Sequence, residues 1–196
     1  MTRRWRHGGW LALGISAMLS ACSSPEPALY TIAPVDGATH VAGPHVIVLE
    51  QLGLERYLNR TEIVRSSENY RLDVKSNDWW GEPLAAMLSR ILVAELGQRL
   101  PQSTVLADNG AISSNPDVTV QLNIQRLDED TAGSVVLQAQ AGVQFKGQKT
   151  PTLRTFHFVV APPAPGTSGE VAAISTALGQ LADGTATMLI AAPAHR

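Results

Sequence analysis

Apolar and polar residues alternate most cleanly in the second half of the chain, where Val118, Val120, Leu122 and Ile124 interleave with Thr119, Gln121, Asn123 and Gln125. A period of two puts the two sets on opposite faces of a strand. The same rhythm runs from Val135 to Phe145, with Val135, Leu137, Ala139, Ala141, Val143 and Phe145 on one side and mainly glutamines on the other, and again from Leu153 to Val160, where Arg154, Phe156, Phe158 and Val160 share a face. Asp128-Glu129-Asp130 with Gly133 reads as a solvated turn between the first two. Three such strands form a meander with one buried face. Upstream, Val46-Ile47-Val48-Leu49 is apolar on both sides and suits a central strand, and Thr104-Val105-Leu106 predicts a short one before a turn at Asp108-Asn109-Gly110. Ile63-Val64 and Tyr70 to Val74 predict two more around a turn at Ser66-Ser67-Glu68-Asn69, with Tyr70, Leu72 and Val74 on one face.

The period changes after Asp78. Leu84, Met87, Leu88, Ile91, Leu92 and Leu96 recur at three and four residues, which predicts an amphipathic helix from about Glu82 to Leu100, with Pro83 in its first turn, Asn77 or Asp78 as cap, and Arg90, Glu95, Gln98 and Arg99 on its surface. Pro101 ends it. Beyond the breakers Pro162, Pro163, Pro165, Gly166 and Gly169, a second helix is expected from about Glu170 to Leu189, turning Val171, Ile174, Leu178, Leu181 and Met188 inward. A sheet with one apolar face needs a cover. The expected fold is therefore α/β (α+β): a mixed or antiparallel sheet covered by two amphipathic helices in a two-layer sandwich.

The amino end follows a different pattern. Arg3, Arg4 and Arg6 precede an uncharged apolar run from Trp10 to Leu19, which is shorter than the ~20 residues a membrane span requires and fits a secretion leader. Leu19-Ser20-Ala21-Cys22 then has the form of a bacterial lipobox, and Cys22 is the only cysteine. The expected organisation is a signal peptide over 1–21, a lipidated amino terminus and tether over 22–44 rich in proline and glycine with an edge strand around Leu29-Tyr30-Thr31-Ile32, and one domain over 45–192. Two or three acyl chains at Cys22 would hold the protein on the membrane essentially permanently, at ~0.8 kcal/mol for each buried CH₂. Ser23 and Ser24 stand where an aspartate would signal inner-membrane retention, so the periplasmic face of the outer membrane is the expected address.

Losing three arginines with the leader takes the formal charge from −2 to −5. A mildly acidic domain without a Lys/Arg stripe is a poor ligand for nucleic acid. His40, His45, His157 and His195 are isolated, and no HExxH, GxSxG, phosphate loop or dinucleotide fingerprint occurs. No metal or cofactor is expected, and a hydrolase would have to assemble a site from residues as distant as His157 and Asp117. Tyr57 to Arg65 and the pair Trp79-Trp80 are less easily assigned. Adjacent residues cannot both face the same site on a strand or helix, so one tryptophan plugs the core while the other is free for a partner or for the headgroup layer.

Tyr57-Leu58-Asn59-Arg60-Thr61-Glu62-Ile63-Val64-Arg65, Asn69-Tyr70-Arg71-Leu72 and Trp79-Trp80-Gly81-Glu82-Pro83-Leu84, behind an acylated cysteine, together resemble the membrane-integrity-associated transporter subunit lipoproteins of the paraquat-inducible Pqi type, auxiliary components of ABC-type transporters. The resemblance covers the lipobox and residues 46–100 by motif, and residues 103–196 by element order. It implies a non-enzymatic lipoprotein that docks or tethers a periplasmic channel of mammalian-cell-entry (MCE) domains at the outer membrane and, through that channel, meets an inner-membrane permease. A homo-oligomer would suit a cyclic channel. The alternative is a periplasmic lipid-binding shuttle or chaperone, which needs a concave apolar pocket under the helices. Tyr57, Arg60, Arg65, Trp79, Trp80, Glu82 and Pro83 carry the pattern, either as partner contacts or as residues that stitch the fold, with Glu82 accepting hydrogen bonds from Arg60 or Arg65.

Overall fold

One strand, Val118–Glu129, organises the molecule because half of the other strands pair directly with it. The computed structural model describes residues 26–112 and 114–191; the leader, Cys22, the first part of the tether and His195 lie outside the described residues. In chain order the elements are β1 (Ala28–Tyr30), β2 (Val46–Leu49), β3 (Gly53–Leu54), β4 (Glu62–Ser66), β5 (Asp73–Trp80), α1 (Leu84–Arg99), β6 (Thr104–Ala107), β7 (Val118–Glu129), β8 (Val135–Phe145), β9 (Thr152–Val160) and α2 (Thr167–Ile190). The strands form one nine-stranded mixed sheet. Along one edge β7 pairs antiparallel with β8, and β8 with β9, which is the predicted meander. Along its other edge β7 takes β2, β3 and β4 in turn, all parallel, and each leads outward to a further partner or a loop.

Helices α1 and α2 cover one face. Val118, Val120, Leu122 and Ile124 point under them, while Gln121 faces solvent. A register shift between Ile124 and Arg126 then changes the phase, so that Leu127 is the next buried apolar residue. From α1, Leu84, Met87, Leu88, Ile91, Leu92 and Leu96 are buried, and from α2, Val171, Ile174, Leu178 and Leu181. Met188 is only partly buried, and Leu189 holds the inward position near the end of α2. Helix α2 lies close on β9: a Cβ at Gly184 would collide with the Phe156 ring. The two-layer α+β sandwich expected from the pattern is the fold observed.

Four local expectations are corrected. The strand expected from Tyr70 begins at Asp73 instead, because Asn69 and Tyr70 adopt left-handed φ values of 57° and 60° and turn the chain; Tyr70 and Leu72 are exposed. Asn77 and Asp78 lie inside β5 and do not cap α1, whose N-cap residue is Pro83 without a side-chain cap bond. Glu95 and Arg99, expected on the surface of α1, are each 1% exposed. Asp128 and Glu129 belong to β7 rather than to a solvated turn, and Asp128 is fully buried.

Residues 28–40, expected within the tether, are laid across the folded body. Tyr30 closes a parallel ladder with Trp80, Ile32 is 2% exposed, and the Val35 amide donates to Glu95 Oε1 at 2.8 Å. Gln98 makes two bonds to the backbone of Gly37, and the His40 amide donates to the Arg99 carbonyl at 2.7 Å. Arg99 fastens this strap from beneath. Its guanidinium donates to Asp183 Oδ1 at 2.6 Å, to the carbonyls of Val35 and Gly179 at 3.0 Å each, and to the Glu95 carbonyl at 3.2 Å. A Cβ at Gly37 would collide with Asp183 and Arg99, so only glycine passes there without displacing them.

Candidate functional site

The residues singled out by sequence are brought to the two ends of the β4–β5 hairpin, not to one point. At the end where β5 runs into α1, Arg60, Trp80, Glu82 and Pro83 line an open cleft of about 400 Å³ together with Asn59 and Thr61. Within it Arg60 Nε lies 3.2 Å from Glu62 Oε2. A hydrogen bond from its own backbone and another from Arg60 hold the Glu62 carboxyl below the usual glutamate range. Glu82 does not meet Arg60 or Arg65; its partner is Arg90, two turns along α1. The expected stitch between helix and sheet through Glu82 is thus an ion pair within the start of α1. Both of its side chains are more than a third exposed, so its contribution to stability is small.

Strand alternation separates the two tryptophans. Trp80 is 5% exposed and packs in the core, while Trp79 faces the other way, half-buried, and donates Nε1–H to the Ser76 carbonyl at 2.9 Å. Of the pair, Trp79 is the one available to a partner.

At the far end of the hairpin a groove of about 740 Å³ is bordered by Arg65, Glu68, Arg71, Asp73, Glu129 and Asp130. Arg65 bridges Asp73 and Glu129 at 3.5 Å each. Behind it, Tyr57 O–H donates to the buried Asp128 at 2.9 Å, Arg126 Nε donates to the same carboxylate at 2.8 Å, and Arg126 also reaches Glu68 at 2.6 Å. Burial, and then the negative charge of Asp128, push the Tyr57 phenol well above its usual range. Tyr57 therefore remains a neutral donor and ties the β3–β4 connection to the centre of the sheet. Asp128 and Arg126, which sequence reasoning missed, complete this lattice. Their one available signal was the break in the β7 alternation, where a charged residue follows Gln125.

Nothing in this arrangement resembles a reaction centre. Asp117 accepts the Val46 amide at 2.9 Å, and His157 is exposed on the open face of the sheet. The β7–β8–β9 register sets His157 opposite Gln138, while Asp117 precedes Val118 opposite Phe145, roughly 27 Å away along the strands. Among the described residues no group of three or more His, Cys, Asp or Glu is arranged to hold a metal, and no helix is long and apolar enough to cross a membrane.

Comparison with known families supplies what the geometry alone does not. The ABC-type transport auxiliary lipoprotein component family matches residues 30–186, which include the strap, the sheet and nearly all of α2. The chain belongs to this family. It is thus a non-enzymatic auxiliary of a transport system, and the family is one of periplasmic lipid-anchored lipoproteins. Comparison with curated proteins finds no match. Among solved structures, one described as an uncharacterized protein is 20% identical, with a TM-score of 0.70 over 83% of this chain and 98% of its own. A Xanthomonas campestris protein of family DUF330 is 16% identical, with a TM-score of 0.68 over 83% of this chain and 94% of its own. At such identities these likenesses concern the fold.

Proposed function

We propose that the protein is the outer-membrane docking component of an MCE-type intermembrane lipid transport system. Acylated Cys22 fixes it to the periplasmic face of the outer membrane. Its folded domain receives the end of an MCE-domain channel whose other end meets a permease in the inner membrane, and several copies form the receiving ring. The observation that carries this reading is the auxiliary-lipoprotein family match over residues 30–186 downstream of a lipobox. The chain divides into a leader over 1–21, a short lipidated tether from Cys22, and a folded domain that begins at Ala28. Arg60, Trp79 and Glu82, all reachable from solvent around the end of β5, are its candidate contacts with the channel.

The alternative, a lipid shuttle, requires an apolar chamber between helices and sheet. That space is filled: Ile91, Leu92, Ala177, Leu178, Val120 and Ala139 are each at most 1% exposed in one continuous core. Docking is therefore the better reading.

In-cell photo-crosslinking from position 60 or 82 tests it. An adduct with an MCE-domain protein and a second adduct with another copy of the chain are expected, both in the outer-membrane fraction. Recovery of neither would overturn the docking reading. Replacing Cys22 by serine should release the protein from the membrane fraction, and Ser23→Asp should move it to the inner membrane.

A further inference from the structure

Tyr70, at the hairpin tip between β4 and β5, is the most exposed large apolar side chain among the described residues. Asn69, Tyr70, Arg71 and Leu72 are four consecutive exposed residues, with Tyr70 fully exposed and Leu72 39% exposed. The left-handed φ values of 57° and 60° at Asn69 and Tyr70 make a tight turn, closed by the Arg71 amide donating to the Glu68 carbonyl at 3.2 Å, and the Tyr70 ring at its apex leaves the protein surface altogether. A small residue would suit that left-handed backbone better, so an amphipathic ring displayed there to solvent points to a surface outside the chain.

The direction of β1 identifies that surface. β1 runs parallel to β5 with Ala28 opposite Asp78 and Tyr30 opposite Trp80, so the chain upstream of Ala28 leaves along β5 toward its Asp73 end, where the hairpin tip stands. Ala28 is five residues from that end, roughly 17 Å at ~3.4 Å per residue. Cys22 is six residues before Ala28, and six residues span at most roughly 20 Å. Cys22 therefore lies within roughly 20 Å of Ala28, a range that takes in the hairpin tip. The neighbouring side chains are mixed in sign, with Arg65 and Arg71 against Glu68, Asp73, Glu129 and Asp130, so contact does not rest on attraction to anionic lipid. It rests on a tyrosine and a leucine that suit the layer between headgroups and acyl chains.

We propose that Tyr70 and Leu72 rest in the headgroup layer of the bilayer that holds Cys22, as a second, non-covalent contact that sets the orientation of the domain on the membrane. This inference rests on the anchorage read for Cys22. The test uses the full lipidated protein in vesicles of phosphatidylethanolamine and phosphatidylglycerol. An environment-sensitive fluorophore is attached at Arg71→Cys, the thiol of Cys22 being consumed by acylation, and at Gln140→Cys on the open sheet face as reference. Quenching by brominated lipid at position 71 is expected to exceed that at 140 by threefold or more, and Tyr70→Ser with Leu72→Ser should at least halve it. Equal quenching at the two positions in protein that still floats with the vesicles would overturn the contact. So would a label at 71 that is shielded from water yet untouched by brominated lipid, which would mean a second copy occupies the tip. Protein that fails to float would instead bring down the reading of Cys22.

Discussion

Glu95 and Arg99 bear most directly on how the amino-terminal strap is held. Their spacing of four residues continues the apolar stripe through Leu84, Leu88 and Ile91, so helical periodicity alone points them inward; their charge argued for the surface, and burial won. The reason was not legible in α1, because the partners that satisfy them come from Val35, Gly179 and Asp183, distant in sequence. Pairing is incomplete, since Glu95 Oε2 has no partner. Burial raises the Glu95 carboxyl from 4.5 to about 7 against the bond from Val35 and the charge of Arg99, and burial likewise raises Glu170 to about 7 although Lys75 Nζ lies 2.7 Å away. Between about pH 4.5 and 7 the folded protein therefore keeps protons that the unfolded chain has released. Stability is fully present below 4.5 and falls as pH rises through 7, by on the order of 3 kcal/mol per carboxyl. Urea midpoints should drop from pH 5 to pH 8, and Glu95→Gln should lose less than the wild type over that interval. Parallel declines in the two proteins would show that Glu95 is not the group responsible.

Among the elements, β5 and its hairpin depart furthest from the sequence pattern. Sequence alternation placed a strand at Tyr70 to Val74, which shares only Asp73 and Val74 with β5, while the Trp79-Trp80 pair implied one inward and one outward ring. The start was missed because Asn69 and Tyr70 take left-handed φ values, and the end because Ser76, Asn77 and Asp78 carry no apolar alternation. β7 shows the same limit: its first seven residues alternate as read, and the bulge before Arg126 that seats Asp128 under Tyr57 is visible only through its partners. The assignment of the tryptophans has a direct consequence for stability. Trp80→Ala removes a core ring and is expected to cost about 3 to 5 kcal/mol. Trp79→Ala, on the opposite face, is expected to cost roughly 1 kcal/mol or less. Chemical denaturation of the two variants measures the difference directly, and equal losses would mean that the strand face is misread. Should Trp79 also serve the channel, its variant will fold normally yet fail to cross-link.

At the scale of the whole molecule, the strap decides how the anchor is coupled to the domain. The two-layer sandwich was legible because three long strands and two helices each carry their period in the sequence. The edge strand around Leu29 to Ile32 was legible too, and β1 lies there, but the course of residues 33–40 was not, because Pro34 and Gly37 give no period and the holding contacts belong to α1 and α2. A loose tether would leave the domain free to tumble at the end of some twenty residues of chain, on the order of 25 Å of root-mean-square reach. With Ile32 buried, Val35 and Gly37 bonded to α1, and Arg99 spanning strap and α2, the free segment shrinks to the few residues after Cys22. The strap is then part of the fold, and removing it takes the Val35 amide from Glu95, the Val35 carbonyl from Arg99 and both Gly37 bonds from Gln98, a loss larger than the apolar area of Ile32 alone would give. A chain beginning at Glu26 should unfold cooperatively in urea with the stability of the mature domain. A chain beginning at Val41 should be destabilised by on the order of 5 kcal/mol, combining the buried side chain with the hydrogen bonds lost at Glu95, Gln98 and Arg99. Equal midpoints for the two would return residues 28–40 to the status of a tether, and with it would go the reason for expecting the membrane to sense the orientation of the domain at all.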